Sequence, residues 1–557
     1  MKKYLPLILF LAINMFSRTC FSQPWIGTYN GPGNGEDRAY AIVIDGSGNT
    51  YVTGFCTSLD NGFDFLTIKY NPEGVLQWTN TYNGSGNGED RAHAITVDGS
   101  GNIYVTGYST GAGSGYDITT VKYTSNGEQL WAARYNGQGN GEDAAYAIVV
   151  DGSGNIYVTG YSSREETGCD YCTIKYDSNG NMIWVRIYSG SEEEANDKAY
   201  AITVDSPGNI YITGFCVGEE TGANYTTIKY NPNGVIQWAA VYNGAANGMD
   251  IACGIAVNGS SIYVTGHSEG EGTGKDYATI KYNSNGEQLW VKRYNGPGNN
   301  EDMAYDIAVA NNNDVLVTGS SRSGSQPGTE DYATIRYQSN GNENWVERYN
   351  GTGDNIDIAY SLYLTPSNNS GVYITGTSRS SNLPGSEDMV TIKYIPGNGN
   401  ISQITRFNGI SNSGDFAYDI VVDNNDDIRV AGYTTRTGDM LGTSSNYDFV
   451  TLAYEHGQLT EINAISGNVP KDFKLYQNYP NPFNPSTIIK FDIINQSNVK
   501  LIVYDVLGKE AAVLVNEFLR AGSYEVKFSA AKLSSGVYFY EIKTDGFSDM
   551  KKMILMK

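Results

Sequence analysis

Histidine and cysteine, the side chains on which metal sites and nucleophilic catalysis most often draw, are almost absent: 3 and 6 of 557 residues. His93, His267 and His456 stand far apart, and the chain holds no His-Glu-x-x-His zinc motif, no nucleophile elbow and no phosphate-binding glycine loop. Cys20 lies in the leading segment, which leaves Cys56, Cys169, Cys172, Cys216 and Cys253, an odd number that cannot all pair within one chain. Cys169 and Cys172 have the two-residue gap of a redox or zinc pair. No second pair and no nearby histidine accompanies them, so scattered core thiols are the favoured reading. Basic residues are outnumbered 37 to 60, for a formal charge of −23. Of these, 12 basic and 9 acidic residues lie in 464–557, so that tail carries +3 and residues 1–463 carry −26. Binding to phosphate backbones and anionic lipid heads depends on Lys and Arg displacing counterions, so neither nucleic acid nor a membrane surface is an expected partner. Long apolar runs are missing too. The one candidate, Tyr4 to Phe16, follows Lys2 and Lys3 and precedes Cys20-Phe21-Ser22. It falls short of the roughly 20 residues a bilayer span needs and reads as a Sec-type signal peptide over residues 1–22, cut after Ser22. Arg18 stands where a lipoprotein signal carries small or aliphatic residues, which argues against lipidation at Cys20. No later segment is apolar enough to span a membrane.

What the chain has instead is glycine (66), tyrosine (44) and a period. A Thr-Gly or Ala-Gly dipeptide closes an apolar run at Gly54, Gly107, Gly160, Gly214, Gly266, Gly319, Gly376 and Gly432, with spacings of 53, 53, 54, 52, 53, 57 and 56 residues. Repeats of this length signal stacked or radially arranged β-units. Each of the eight units carries four short alternating runs. In the second they are Asp90 to Asp98, Asn102 to Gly107, Asp117 to Tyr123, and Glu128 to Trp131 leading into Tyr135. Turn chemistry such as Asp-Gly-Ser-Gly-Asn separates them, and helix periodicity is absent. Four strands per unit is the count of a propeller blade.

The run that holds Ala39 and Ala41, Ala92 and Ala94, or Ala145 and Ala147 suits the crowded innermost strand. The run carrying Trp78, Trp131, Trp184, Trp238, Trp290 and Trp345 suits the wide outer one, with the indoles packed between blades. The mature chain opens on Trp25-Ile-Gly-Thr-Tyr29, an outer strand with no inner strands before it. The eighth unit ends on Thr451 to Tyr454 with only the weak run Gly457 to Glu461 after it. Trp25 to Tyr29 is therefore expected to complete the last blade and lock the ring.

The Asp-x-x-Gly-Asn-x-Tyr-Val-Thr-Gly core at Asp98–Gly107 and Asp151–Gly160 resembles the SBBP family of bacterial β-propeller repeats, and the match runs over about residues 25 to 456. The expectation is an all-β fold with an eight-bladed propeller, seven blades being the alternative that the family's name implies. Beyond about Ala464 the texture changes. Asn478-Tyr-Pro-Asn-Pro-Phe-Asn-Pro-Ser486 excludes a central strand or helix, and Val499–Asp505, Gly522–Phe528 and Gly536–Lys543 read as strands of a small sandwich. With Val503-Tyr-Asp-Val-Leu-Gly508, Leu533-Ser-Ser-Gly-Val-Tyr538 and the basic, apolar end Lys551 to Lys557, this part resembles the type A C-terminal sorting domain of type IX secretion substrates, an immunoglobulin-like fold. That resemblance implies export across both membranes, contact with the type IX secretion machinery, a secreted or cell-surface location, and removal of the tag. The expected layout is a signal peptide at 1–22, the propeller at 23–462, a linker at 463–477 and the sorting domain at 478–557.

Asp37, Asp90, Asp143, Asp197, Asp250, Asp302, Asp357 and Asp415 fill one slot in all eight units. Catalysis needs a group once, so a residue repeated eight times is expected to fix a turn or cap an inner strand. The same holds for Asp64, Asp117, Asp170, Asp276, Asp331, Asp388 and Asp448 with Asn224, for which Lys69, Lys122 and Lys175 on the same strand are candidate partners. Calcium is the one cofactor for which the Asp-Gly-Ser-Gly-Asn loops at Asp45, Asp98 and Asp151 offer oxygens. They lack the several carboxylates of a tight site, and a hairpin turn is the favoured reading. No catalytic, cofactor-binding or metal residue is nominated. The sequence favours a non-enzymatic binding or scaffold module for glycans or proteins. The alternative is an extracellular hydrolase or lyase of polysaccharide or protein, acting at the channel mouth. For its candidate groups, Glu192 to Glu194 and Glu165-Glu166, solvated acidic loops are the favoured reading.

Overall fold

The computed structural model describes residues 25–557 apart from 60–61, 165–167, 193–194, 325–327, 352–354, 366–370, 382–384, 410–413, 436–446, 455–461, 467–469, 495–496, 520–521, 531–532 and 545. The signal peptide at 1–22, Glu165-Glu166, Glu193, Glu194, His456 and the run 457–461 lie outside the described residues. Every described regular element is a strand.

The first repeat sets the pattern. Its strands β2 (Arg38–Ile44), β3 (Thr50–Thr57), β4 (Phe63–Tyr70) and β5 (Leu76–Tyr82), which follow β1 (Trp25–Tyr29), form one antiparallel sheet in the order β2-β3-β4-β5. β3 is buried along its whole length. Its central threonine, Thr53, meets Thr67 across the strand pair at 3.2 Å and donates to the Leu66 carbonyl, which satisfies that hydroxyl inside the core. The β2–β3 turn is built by Asp45. Its carboxylate accepts from the Ser47 and Asn49 amides, from Asn49 Nδ2 and from the Tyr51 hydroxyl, while Gly48 takes a φ of 81°. The equivalent carboxylates of Asp98 and Asp151 are occupied in the same way. These loops are hairpin turns whose acidic group is already committed to its own loop.

Eight four-stranded sheets of this kind follow one another, and the first strand of each touches the first strand of the next. The first strand of the eighth sheet, Asp415–Val422, packs against β2, so the series closes on itself. Only three strands of that last sheet come from the end of the array. The fourth is β1, which pairs antiparallel with Tyr447–Tyr454 in the register Trp25 to Ala453 through Tyr29 to Phe449. The sheet edge that would otherwise stay open is filled by the opposite end of the chain.

Between sheets, the outer-strand tryptophan of one blade lies on a glycine of the next. At Gly74, Gly127, Gly180, Gly234, Gly286, Gly341 and Gly399 an added Cβ would fall within about 3 Å of the indoles of Trp25, Trp78, Trp131, Trp184, Trp238, Trp290 and Trp345 respectively. All seven glycines have φ between 74° and 87° and turn the hairpin before the outer strand. From Trp78 onward the indole Nε1 also donates to a backbone carbonyl of that hairpin, as Trp78 does to Ser125 at 3.1 Å. At the eighth joint no such hairpin stands among the described residues, and the last blade takes its outer strand from the N-terminal end. Gln403 stands there at the tryptophan register. Seven tryptophans thus serve seven hairpins.

The C-terminal part forms two further four-stranded sheets around one core that includes Ile489, Phe491, Leu501, Val503, Val526 and Tyr540. Its strands begin earlier than the sequence suggests. Ile462–Ser466 pairs with Gly522–Ser529, and Lys474-Leu475 pairs with Ser486–Ile493, with Leu475 buried in the core. Within the stretch 463–477, residues 463–466 and 474–475 lie in these strands. The glycine and proline spacing of that stretch disguised strands too short to show alternation.

Candidate functional site

The repeated acids are structural in their geometry. Asp90 is fully buried and accepts from the Gly84 amide at 2.6 Å and the Thr110 amide at 2.9 Å, tying the loop that enters the blade to the end of its second strand. Asp37, Asp143, Asp197, Asp250 and Asp302 make the same pair of contacts. The second acidic slot behaves differently from the expectation. Asp117, Asp276, Asp331 and Asp388 pair with Arg134, Arg293, Arg348 and Arg406 on the adjacent outer strand, and Asp170 pairs with Arg164. Lys69, Lys122 and Lys175 do not serve them. Five residues apart on a strand, such side chains leave opposite faces, and these lysines instead donate to the Ser125, Ser178 and Pro232 carbonyls of the next blade.

The five described cysteines are free, and four of them are buried. Cys172 packs in one cluster with Tyr157's neighbours Ile156 and Val158, and Cys169 in another with Tyr161. Among the described residues no group of three or more His, Cys, Asp or Glu could hold a metal ion. His267 is buried, and burial lowers its pKa to about 4.

What gathers in one place is aromatic. Each innermost strand carries a one-residue bulge, and the unpaired residues are Tyr40, His93, Tyr146, Tyr200, Cys253, Tyr305, Tyr360 and Tyr418. They meet around the axis. Neighbouring centroids lie 6.1 Å apart for Tyr40 and His93, 5.4 Å for His93 and Tyr146, and 5.3 Å for Tyr146 and Tyr200. On the far side the spacings are 5.7 Å for Tyr305 and Tyr360, 5.4 Å for Tyr360 and Tyr418, and 5.5 Å for Tyr418 and Tyr40. Cys253, between Tyr200 and Tyr305, is the one non-aromatic member. Spacings of this size on an eight-membered ring put the centroids about 7 Å from the axis. All eight residues are half-buried.

One residue further along each strand the slot is Ala41, Ala94, Ala147, Ala201, Gly254, Asp306, Ser361 and Asp419. Five small side chains are thus followed by a polar arc. The Ser361 hydroxyl lies 2.9 Å from Asp419 Oδ1 and 3.4 Å from Asp306 Oδ2. Asp306 also accepts from the Ile307 and Leu362 amides, and Asp419 from the Ile420 amide and the Ile42 amide of the first blade. Burial pushes their carboxyls up to about 6 and about 7. Sequence reasoning passed over both. The available signal was an acid breaking a slot otherwise kept small, in only two of eight units.

Two surface clefts, of about 620 and 330 Å³, sit at blade seams away from the axis. In the larger, Asp151 belongs to its turn and Lys175 to the Pro232 carbonyl. Glu192, of the acidic runs singled out in the sequence, brings no partner carboxylate to the axis.

A closed series of four-stranded blades with an aromatic collar at its axis defines a β-propeller. Residues 78–113, 132–164 and 183–214 match the β-propeller repeat family SBBP, and residues 477–556 match the secretion system C-terminal sorting domain. The chain is a secreted, cell-surface SBBP-repeat propeller carrying a type IX sorting domain. A WD repeat-containing protein of Acanthamoeba polyphaga mimivirus, itself uncharacterised, is 25% identical over 51% of this chain, which spans 29% of that relative's length. Among solved structures, an α-L-arabinofuranosidase of Fusarium graminearum is similar at a TM-score of 0.32, with 10% identity over 55% of this chain and 91% of that one. An apocarotenoid oxygenase of Synechocystis scores 0.36, with 10% identity over 90% and 96%. Likenesses this weak leave the function to be argued from the chain's own residues.

Proposed function

We propose that this protein is a surface-displayed binding module that engages its ligand, a glycan or a protein, through the aromatic collar of the propeller axis. In this reading residues 1–22 direct export and are removed, and the C-terminal domain delivers the propeller through the type IX machinery before being removed in turn. The observation that carries the reading is the contrast between two sets of groups. The repeated acids are occupied by backbone amides, arginines or their own turns, whereas the half-buried tyrosines converge on the axis. Aromatic rings with polar hydroxyls suit the mixed apolar and polar faces of sugars.

A hydrolase reading draws on one observation, that Asp306 and Asp419 are carboxylates found in single blades beside the channel, with pKa values suited to proton transfer near neutrality. Screening the purified protein against a polysaccharide and protein panel for both retention and product release separates the two. Retention without release is expected. Release of product that stops in Asp306→Asn or Asp419→Asn would replace the binding reading with the catalytic one.

A further inference from the structure

The collar is not uniform, and its asymmetry says what chemistry it takes. Seven of its eight members are aromatic, and they ring the axis. Quadrupoles of aromatic faces attract cations, more strongly where water is thinned out. On one side only, the next layer adds Asp306, Ser361 and Asp419 from three successive blades, while the opposite side of that layer is Ala94, Ala147, Ala201 and Gly254. Each carboxylate has about four acceptor positions, and each has three contacts here, leaving one open. The arc is also one hydrogen short. A single Ser361 hydroxyl hydrogen faces two carboxylates, so with both ionised one of the contacts at 2.9 and 3.4 Å lacks a donor. Residues 1–463 carry −26, which favours cations arriving at the channel.

Building on the binding reading above, we propose that the axial channel is a site for a cationic amino sugar, whose ring stacks on the collar tyrosines and whose ammonium group donates to Asp306, Ser361 and Asp419. A primary ammonium brings three donors, enough for the open position on each carboxylate and for the Ser361 oxygen, which accepts as well as donates. The tyrosine-lined passage sets the selection between ammonium and its acetylated form. An N-acetyl group presents a bulkier, neutral amide with one donor to the same arc.

Affinity for such a ligand rises with pH through the range where the arc ionises. Burial raises Asp306 to about 6 and Asp419 to about 7, so both are mostly protonated at about pH 5. The other titratable groups facing them are Tyr40, Tyr305, Tyr360 and Tyr418, with His93 across the collar and the Arg38 guanidinium, charged throughout, beside Tyr40 and Tyr418. Burial raises Tyr40, Tyr305 and Tyr360 and lowers His93 to about 4, so none of these four changes charge between about pH 5.5 and 7.5.

Calorimetric titration of the full exported chain with a glucosamine tetramer and with an N-acetylglucosamine tetramer tests this. The free amine is expected to bind at least about tenfold tighter near pH 7.5, and the preference to shrink at least about fivefold near pH 5.5. The Asp306→Asn/Asp419→Asn double variant, compared once circular dichroism shows it folded, is expected to lose the preference. If the double variant does not fold, the pH series on the parent and competition by butylammonium, expected to displace the amino sugar, still decide. Equal binding of the two tetramers would overturn the amino-sugar assignment while leaving glycan binding intact. So would a preference that survives in the folded double variant. A lysine pentapeptide that binds as tightly as the glucosamine tetramer would overturn the sugar half of the assignment.

Discussion

The indole of Trp25 lies against Gly74 so closely that a Cβ on that glycine would fall 2.2 Å from Trp25 Cγ. Forty-nine residues separate them in sequence, and the contact joins the eighth blade to the first. Trp25 also packs on Tyr70, with centroids 4.9 Å apart. The same indole-on-glycine contact that joins Trp78 to Gly127 inside the array here closes it. Deleting residues 23–31 should therefore remove both the last blade's fourth strand and this joint, lowering the melting temperature sharply. Trp25→Ala alone should cost about 2–3 kcal/mol, read by chemical denaturation. An unchanged melt in the deletion variant would contradict closure by β1.

Gly127→Ala should be costly although it removes nothing. The new Cβ would lie 2.8 Å from Trp78 Cδ2 at a backbone φ of 87°, and overpacking plus a strained turn amounts to about 1–3 kcal/mol. Gly99→Ala is the control, since nothing lies within 4 Å of its Cβ position. Its melt should match the parent's.

The two acidic slots should separate under mutation. Asp90→Ala leaves the Gly84 and Thr110 amides without their buried acceptor and should destabilise by about 2–4 kcal/mol. Arg134→Ala leaves Asp117, itself 2% exposed, with the Ser114 hydroxyl as a remaining partner and should cost about 1–3 kcal/mol, less than Asp90→Ala with its two orphaned amides. Equal losses measured by urea denaturation would contradict the assignment of the first slot as the staple of the blade.

Stability should fall as pH rises from about 5 to about 8. Burial raises Asp306 and Asp357 to about 6 and Asp415 and Asp419 to about 7. Each therefore holds its proton in the folded state over a range where the unfolded chain has lost it, and that stabilisation is lost as pH climbs through the folded pKa. His93 and His267, lowered to about 4 by burial, act in the opposite sense between about 4 and 6.5. Four raised carboxyls against two lowered imidazoles give a melting temperature a few degrees higher near pH 5.5 than near pH 8. Asp419→Asn should flatten the slope.

Removing residues 477–556 should leave the propeller inside the cell envelope, with none at the surface by protease accessibility. Surface display of the truncated chain would contradict the role of the sorting domain.

Much of this was legible in the sequence because repetition averages out local ambiguity. The four runs around Asp90, Gly107, Lys122 and Trp131 recur with the same turn residues, so strand number, strand order and the place of the tryptophans could all be read, as could the N-terminal strand that completes the last sheet. The partners of Asp117 and Lys122 could not, because they come from neighbouring strands and blades. Lys122 reaches Ser178, 56 residues away. The strand Lys474-Leu475 could not be read because it is too short to alternate. Asp306 and Asp419 were hidden by the regularity that revealed the fold. A search for what recurs ranks them as scatter, and only the bulge register places them side by side at the axis.

The central claim, that binding resides at the collar while the repeated features are scaffold, is tested most directly by retention on an immobilised glycan and protein panel. The parent should be compared with a collar variant, Tyr146→Ala/Tyr200→Ala, and a rim variant, Leu289→Ser, whose side chain is 54% exposed on the outer strand. Retention that is lost in the collar variant and kept in the rim variant, both folded, is the result expected. Retention kept in the collar variant and lost in the rim variant would contradict the account.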